Sequence, residues 1–125
     1  MTEDEYGQLA AKVGRILASG LASPMVTIPG DGALAIDRDA TFVLTKGSAA
    51  AITLADPGAA NLGRRIVIIA GSDFAHVVTT TAAIANGTAA KNTWTSAAFI
   101  GSSITLRAVS ATLWAVVNHE LGTFA

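Results

Sequence analysis

The chain contains no cysteine, which excludes a disulfide framework, thiolate chemistry and a cysteine-ligated zinc centre. Charge is scarce too: 14% of residues are charged, and no basic cluster is larger than the pair Arg64-Arg65. A protein that neutralises phosphates needs a basic patch, so nucleic-acid binding is not expected. No apolar run reaches the length of a membrane span, so no membrane partner is expected. Met1-Thr-Glu-Asp-Glu5 is acidic where a secretion signal would be basic, and the sequence therefore predicts a soluble protein made in a cytoplasm.

What remains is aliphatic. Hydrophobic residues make up 51% of the chain but aromatics only 6%, so the apolar content is mostly Ala, Val, Ile and Leu, with Thr, Ser and Gly between them. This mixture suits short strands and tight turns better than a helical bundle. At 125 residues the chain is long enough for one domain with a single core. With so few charges to keep its surface polar, the domain is expected to oligomerise or to dock on a larger body.

Residues 1–23 differ from the rest. Thr2 and Glu5 form a capping-box pattern, and Glu3, Asp4 and Glu5 place negative charge in the first turn, where the helix dipole favours it. Tyr6, Leu9, Val13, Ile16 and Leu17 then recur at helical spacing, with Gln8, Lys12, Arg15 and Ser19 on the other side. The pattern predicts an amphipathic helix ending near Gly20. Gly7 and Gly14 each weaken it by about 1 kcal/mol relative to Ala, so it needs a packing partner. That partner is either a face of its own β-domain, or an intersubunit or docking surface reached through the same five residues.

Prolines 24 and 29 bound an extended connector over 24–30. From residue 31 to 125 short apolar runs alternate with turn residues about every ten positions, the rhythm of an antiparallel β-sandwich or barrel. About eight strands are expected: 33–36, 40–44, 50–54, 65–70, 76–80, 93–99, 103–109 and 113–118. Residues 80–90 are compatible with strand, loop or short helix, and Asn86-Gly87 is a hairpin signal that overlaps a formal glycosylation sequon. Ile66-Val-Ile-Ile69 is β-branched throughout and predicts burial on two faces, with a neighbouring subunit covering one of them.

Reactive groups are few. Ser72, Asp73 and His76 fall within one short stretch, but proximity in sequence does not orient a base, and turn residues beside a strand-edge histidine are the better account. His119-Glu120 reads as a solvent-facing pair. Asp31, Asp37 and Asp39 form the one local carboxylate cluster, with no calcium-loop spacing and with Arg38 between two of them. Gly58, Gly63 and Gly71 lack the lysine and helix of a phosphate loop. No catalytic residue, metal or cofactor is assigned. Trp114 leads an apolar run and is read as core; Trp94, among Thr and Ser, is read as a surface aromatic able to stack on a sugar.

The blocks Ala51-Ile-Thr-Leu-Ala-Asp-Pro57, Gly63-Arg-Arg-Ile-Val-Ile-Ile-Ala70 and Ser103-Ile-Thr-Leu-Arg-Ala-Val109, followed by Leu113-Trp-Ala-Val-Val-Asn118, resemble small β-domains of tailed-bacteriophage virion proteins. The likeness is nearest to capsid decoration (cement) and head-fibre proteins. It implies a non-enzymatic homotrimer on the outer surface of the virion head, with the major capsid protein as partner. The alternative it allows is a glycan-recognising module of a tail fibre, acting through Trp94.

Overall fold

Through the first 77 residues the described turns of this chain do not send it back beside the strand it has just left. They carry it across to a second wall. The computed structural model describes residues 24–86 and 89–125. Among them are ten strands: β1 (Met25–Ile28), β2 (Gly32–Ala33), β3 (Ala40–Leu44), β4 (Ala51–Leu54), β5 (Arg65–Ala70), β6 (Val77–Asn86), β7 (Ala89–Thr95), β8 (Ser103–Ser110), β9 (Leu113–Glu120) and β10 (Thr123–Phe124).

β1, β3 and β5 pair in parallel, with Met25 beside Thr41 and Thr41 beside Val67. β2, β4 and β6 form a second parallel ladder, with Gly32 beside Ile52 and Ile52 beside Val78. The chain thus alternates between two walls and climbs through three turns. The hairpin β8–β9 forms the base, β8 antiparallel to β5 and β9 parallel to β6. The sheet order β1-β3-β5-β8-β9-β6-β4-β2 describes a curled half-barrel, closed at the base and open between β1 and β2.

The expectation of a mainly β chain holds, but the antiparallel arrangement does not. Five pairings among the described residues are parallel and four antiparallel. Turn residues and alternating burial look alike in both arrangements; only the destination of each turn differs. The strand expectations for 40–44 and 65–70 match β3 and β5. The segment 24–30, read as a connector, contains β1, because Met-Val-Thr-Ile between the two prolines is free to pair. Of residues 80–90, those at 80–86 continue β6 and those at 89–90 begin β7, with Asn86 opposite Ala89. The helix expected over 1–23 lies outside the described residues.

Alternate residues of each strand point into the trough. Phe42 and Leu44 from β3, Ile52 and Leu54 from β4, Ile66 and Ile68 from β5, and Ile104 and Leu106 from β8 are all buried there. Burying each such side chain contributes about 1.5–3 kcal/mol. Trp114 lies at the base, and its indole N–H donates to the Ala55 carbonyl at 2.9 Å, tying the β4–β5 connection to β9.

Trp94 on β7 is the second fully buried indole. Its exposure was expected from its polar sequence neighbours, but those residues alternate away from it while Phe124 of β10 pairs beside it. Its ring N–H has no hydrogen-bond partner among the described residues. Gly122, at φ 113°, passes so close that a β-carbon there would stand 2.7 Å from the indole nitrogen and 2.8 Å from the Thr95 carbonyl oxygen. Both the left-handed backbone and the close approach demand glycine. Gly122→Ala is therefore expected to destabilise the protein by about 2–4 kcal/mol, from backbone strain plus overpacking. Thermal unfolding followed by tryptophan fluorescence checks this.

Candidate functional site

A parallel ladder leaves the first N–H of a strand without an acceptor unless something upstream supplies one. In this chain the residue just before a strand accepts an N–H at, or one residue ahead of, the start of the neighbouring strand. Asp31, immediately before β2, accepts the N–H of Ala51, the first residue of β4, at 2.8 Å. Asp39, immediately before β3, accepts the N–H of Arg65, the first residue of β5, at 3.0 Å. His76, immediately before β6, accepts the Ala50 N–H on its Nδ1 at 3.0 Å.

These bonds account for the carboxylate cluster. Asp31 also binds the Lys46 ammonium at 2.8 Å, and that contact with the Ala51 N–H holds its carboxyl below the usual carboxylate range. Asp39 faces Arg64 at 3.4 Å, and Arg64 in turn grips the Asn61 side chain. Asp37 pairs with adjacent Arg38 at 3.7 Å. The three carboxylates thus serve three separate places, and no group of three or more acidic, His or Cys side chains able to hold a metal occurs among the described residues.

Ser72 and His76 do meet, in the reverse of a catalytic arrangement. Because Nδ1 accepts the Ala50 N–H, the proton of the neutral ring sits on Nε2, which donates to the Ser72 hydroxyl at 3.0 Å. That hydroxyl donates onward to the Lys46 carbonyl at 2.7 Å. A base for Ser72 would need a free lone pair on Nε2, and there is none in this tautomer. Asp73 turns away and accepts the Ile100 N–H at 2.9 Å. The ring is fully buried, and its backbone N–H is held by Ser96 at 2.9 Å. His76 therefore bolts together the connections at 45–50 and 71–76.

His119 lies against Phe124, ring centroids 5.2 Å apart, and both it and Glu120 are exposed. Trp94, buried, offers no surface for a sugar. Tyr6, Leu9, Val13, Ile16 and Leu17 lie outside the described residues. With the polar side chains so engaged, the features left open to a partner are surfaces.

The outward face of one wall is such a surface. Thr41, Val67 and Thr105 stand side by side across β3, β5 and β8, and Val43, Ile69 and Ser103 form the next row. All six are half-buried and uncharged. So Ile66-Val-Ile-Ile69 is buried on its inward face, while its outward face, Val67 and Ile69, stays accessible within the chain.

At one end of this face Arg65 lies directly opposite Arg107 in the antiparallel β5–β8 pair. Like charges so placed repel, and neither guanidinium forms an ion pair among the described residues. At the other end Glu120 lies opposite Ser103. The Arg65–Arg107 juxtaposition needed the register, which no local pattern carries. Comparison of the chain with protein-family models and with curated proteins returned no match.

Burial pushes the His76 imidazole below its usual value. The unfolded chain takes up a proton near pH 6.5 while the folded one does not, so stability should be steady above about pH 7 and fall as pH drops through 6.5. Denaturant titrations across pH 5–8 should show this slope, and His76→Gln should flatten it. His76→Ala leaves the Ala50 N–H and the Ser72 hydroxyl short of partners and should cost about 2–4 kcal/mol.

Proposed function

We propose that this protein is a structural component of a virion: a capsid decoration, or cement, protein that associates as a homotrimer on the outer face of a tailed-bacteriophage head and bridges major capsid subunits. The observation that carries the reading is the outward face of β1, β3, β5 and β8. It is a row-ordered surface of Thr, Val, Ile and Ser with an arginine pair at one end and a carboxylate at the other.

Such a face has an apolar centre to desolvate and charges only at its ends, the distribution expected of a contact between copies rather than of a substrate site. Arg65 and Arg107 of one copy can meet Glu120 of the next, and a contact between unlike patches closes into a ring when the rotation is right. Repetition over a symmetric shell then lets modest individual contacts add through avidity. The polar side chains that might carry chemistry are spent on holding the strands in register. The likeness to decoration and head-fibre domains supplies the setting. In this reading Tyr6, Leu9, Val13, Ile16 and Leu17 belong to the segment that serves assembly or capsid attachment. The tail-fibre alternative relied on Trp94 as a stacking surface, and that ring is buried.

Analytical ultracentrifugation at tens of micromolar should give the mass of three chains. Val67→Lys combined with Ile69→Lys should weaken association at least tenfold while leaving the far-ultraviolet β signature intact. The unmodified chain should also co-sediment with capsids purified without it. A stable monomer would refute the trimer, and absence from the capsid pellet would refute the decoration role.

A further inference from the structure

The connection from β7 to β8 contains Ala97-Ala-Phe-Ile-Gly101, a run with no polar side chain. Its Phe99 and Ile100 are 63% and 65% exposed. Surface connections are ordinarily polar, because an apolar side chain left in water forgoes the free energy of burial. This one is also held firmly. Asp73 accepts the Ile100 N–H at 2.9 Å, the Ala70 carbonyl accepts the Gly101 N–H at 2.9 Å, and buried Ser102 accepts the Ala97 N–H at 3.0 Å. Gly101 makes the turn at φ 96°, a backbone that glycine adopts without strain. The result is a rigid apolar knob, and rigidity lowers the ordering cost of seating it in a partner.

Its counterpart lies where the half-barrel is open, between β1 and β2. An apolar groove of about 400 Å³ is lined there by Val26, Ile28, Ala33, Ala35 and Phe42, with Asp37 and Arg38 among its polar lining. Val26 pairs beside Phe42 and so belongs to the inward row, yet it is 38% exposed where Phe42 is 1% exposed. We propose that the knob of one copy seats in the groove of a second copy, with Phe99 and Ile100 against Val26, Ala35 and Phe42, and with Asp73 of the first facing Arg38 of the second.

Three observations select this occupant. The groove stands at the small end of the roughly 300–1,000 Å³ range of binding pockets, which suits about two or three side chains on a loop. The charges match: Asp73 spends one carboxylate oxygen on the Ile100 N–H and keeps the other, while Arg38 is paired only with adjacent Asp37, at 3.7 Å and largely exposed. A guanidinium has five N–H donors, enough to serve both carboxylates. Within one chain Phe99 and Ile100 do not line the groove, so the seating takes a second copy. Each copy then offers one knob and one groove, a head-to-tail contact that closes into a ring or propagates according to its rotation. It uses neither Val67 nor Ile69 and stands whether or not the protein belongs to a virion.

The chain has no cysteine, so introduced thiols report the contact directly in the full-length protein. One chain carries Ile100→Cys and another Ala35→Cys, both with Val67→Lys and Ile69→Lys so that the outward face takes no part. Mixed at tens of micromolar and oxidised, they should yield a disulfide between positions 100 and 35 of different chains, identified by peptide mass, at least tenfold above links between like positions. Phe99→Asp in the first chain should lower that yield at least tenfold with the far-ultraviolet β signature intact. The pairing is repeated without the lysines, where the same product is expected. Predominant links between two copies of position 100 would overturn the proposal, since the knobs would then meet one another. A yield indifferent to Phe99→Asp, or no link between chains in either background, would overturn it too.

Discussion

The parallel ladders of this protein depend on one small recurring bond: a side chain placed just before one strand accepts the leading N–H of the strand beside it or of the residue preceding that strand. Asp31, Asp39 and His76 each do this, and each thereby locks one turn of the coil onto the next. Without such an acceptor the strand could slip, and a slip of a single residue would turn its whole inward row outward. The alternating burial of β3 and β5, with Phe42, Leu44, Ile66 and Ile68 all inside, is the consequence of that fixed register.

Much of the local structure was legible. Apolar alternation marks β3 and a continuous β-branched run marks β5, both to the residue, and Ala111-Thr112 sits at the joint of the β8–β9 hairpin. Pairing partners were not legible, because a turn such as Asp37-Arg-Asp39 has the same composition whether it doubles back or crosses to another wall. Trp94 shows a second blind spot. Its neighbours Thr93 and Thr95 are indeed outward, and strand alternation then places Trp94 inside, but composition alone made the whole stretch look exposed. The aspartate cluster carried no ligand spacing, and its three carboxylates are directed to three separate places: Asp31 and Asp39 each stand just before a strand and hold a neighbouring N–H, and Asp37 pairs with Arg38. Ser72 and His76 do come together, yet the tautomer that makes them useful to the fold withholds the lone pair that catalysis would need.

A pattern joins these cases. Nearly every polar side chain that invited a chemical reading holds backbone in place: His76 and Ser72 one pair of connections, Asp31 and Asp39 the wall ends, and Ser102 the carbonyls of Glu120 and Leu121 while it accepts the Ala97 N–H. The outward face carries the reverse composition, β-branched and uncharged at its centre. Interior polarity therefore secures the strands, and exterior apolarity is left for contact with other surfaces.

The coil also sets the order in which the protein can acquire its structure. β1, β3 and β5 are separated along the chain by the strands of the opposite wall, so their pairing closes long loops before any contact rewards it. The hairpins β6–β7 and β8–β9 close locally, and both lie in the second half of the sequence. Synthesis from the first residue onward releases the dependent strands before the independent ones, and the walls wait for their base. An early chain thus carries Ile66-Val-Ile-Ile69 unpaired on the β8 side until Ser103 to Ser110 has emerged, which makes the interval between those two segments the one in which self-association competes with folding.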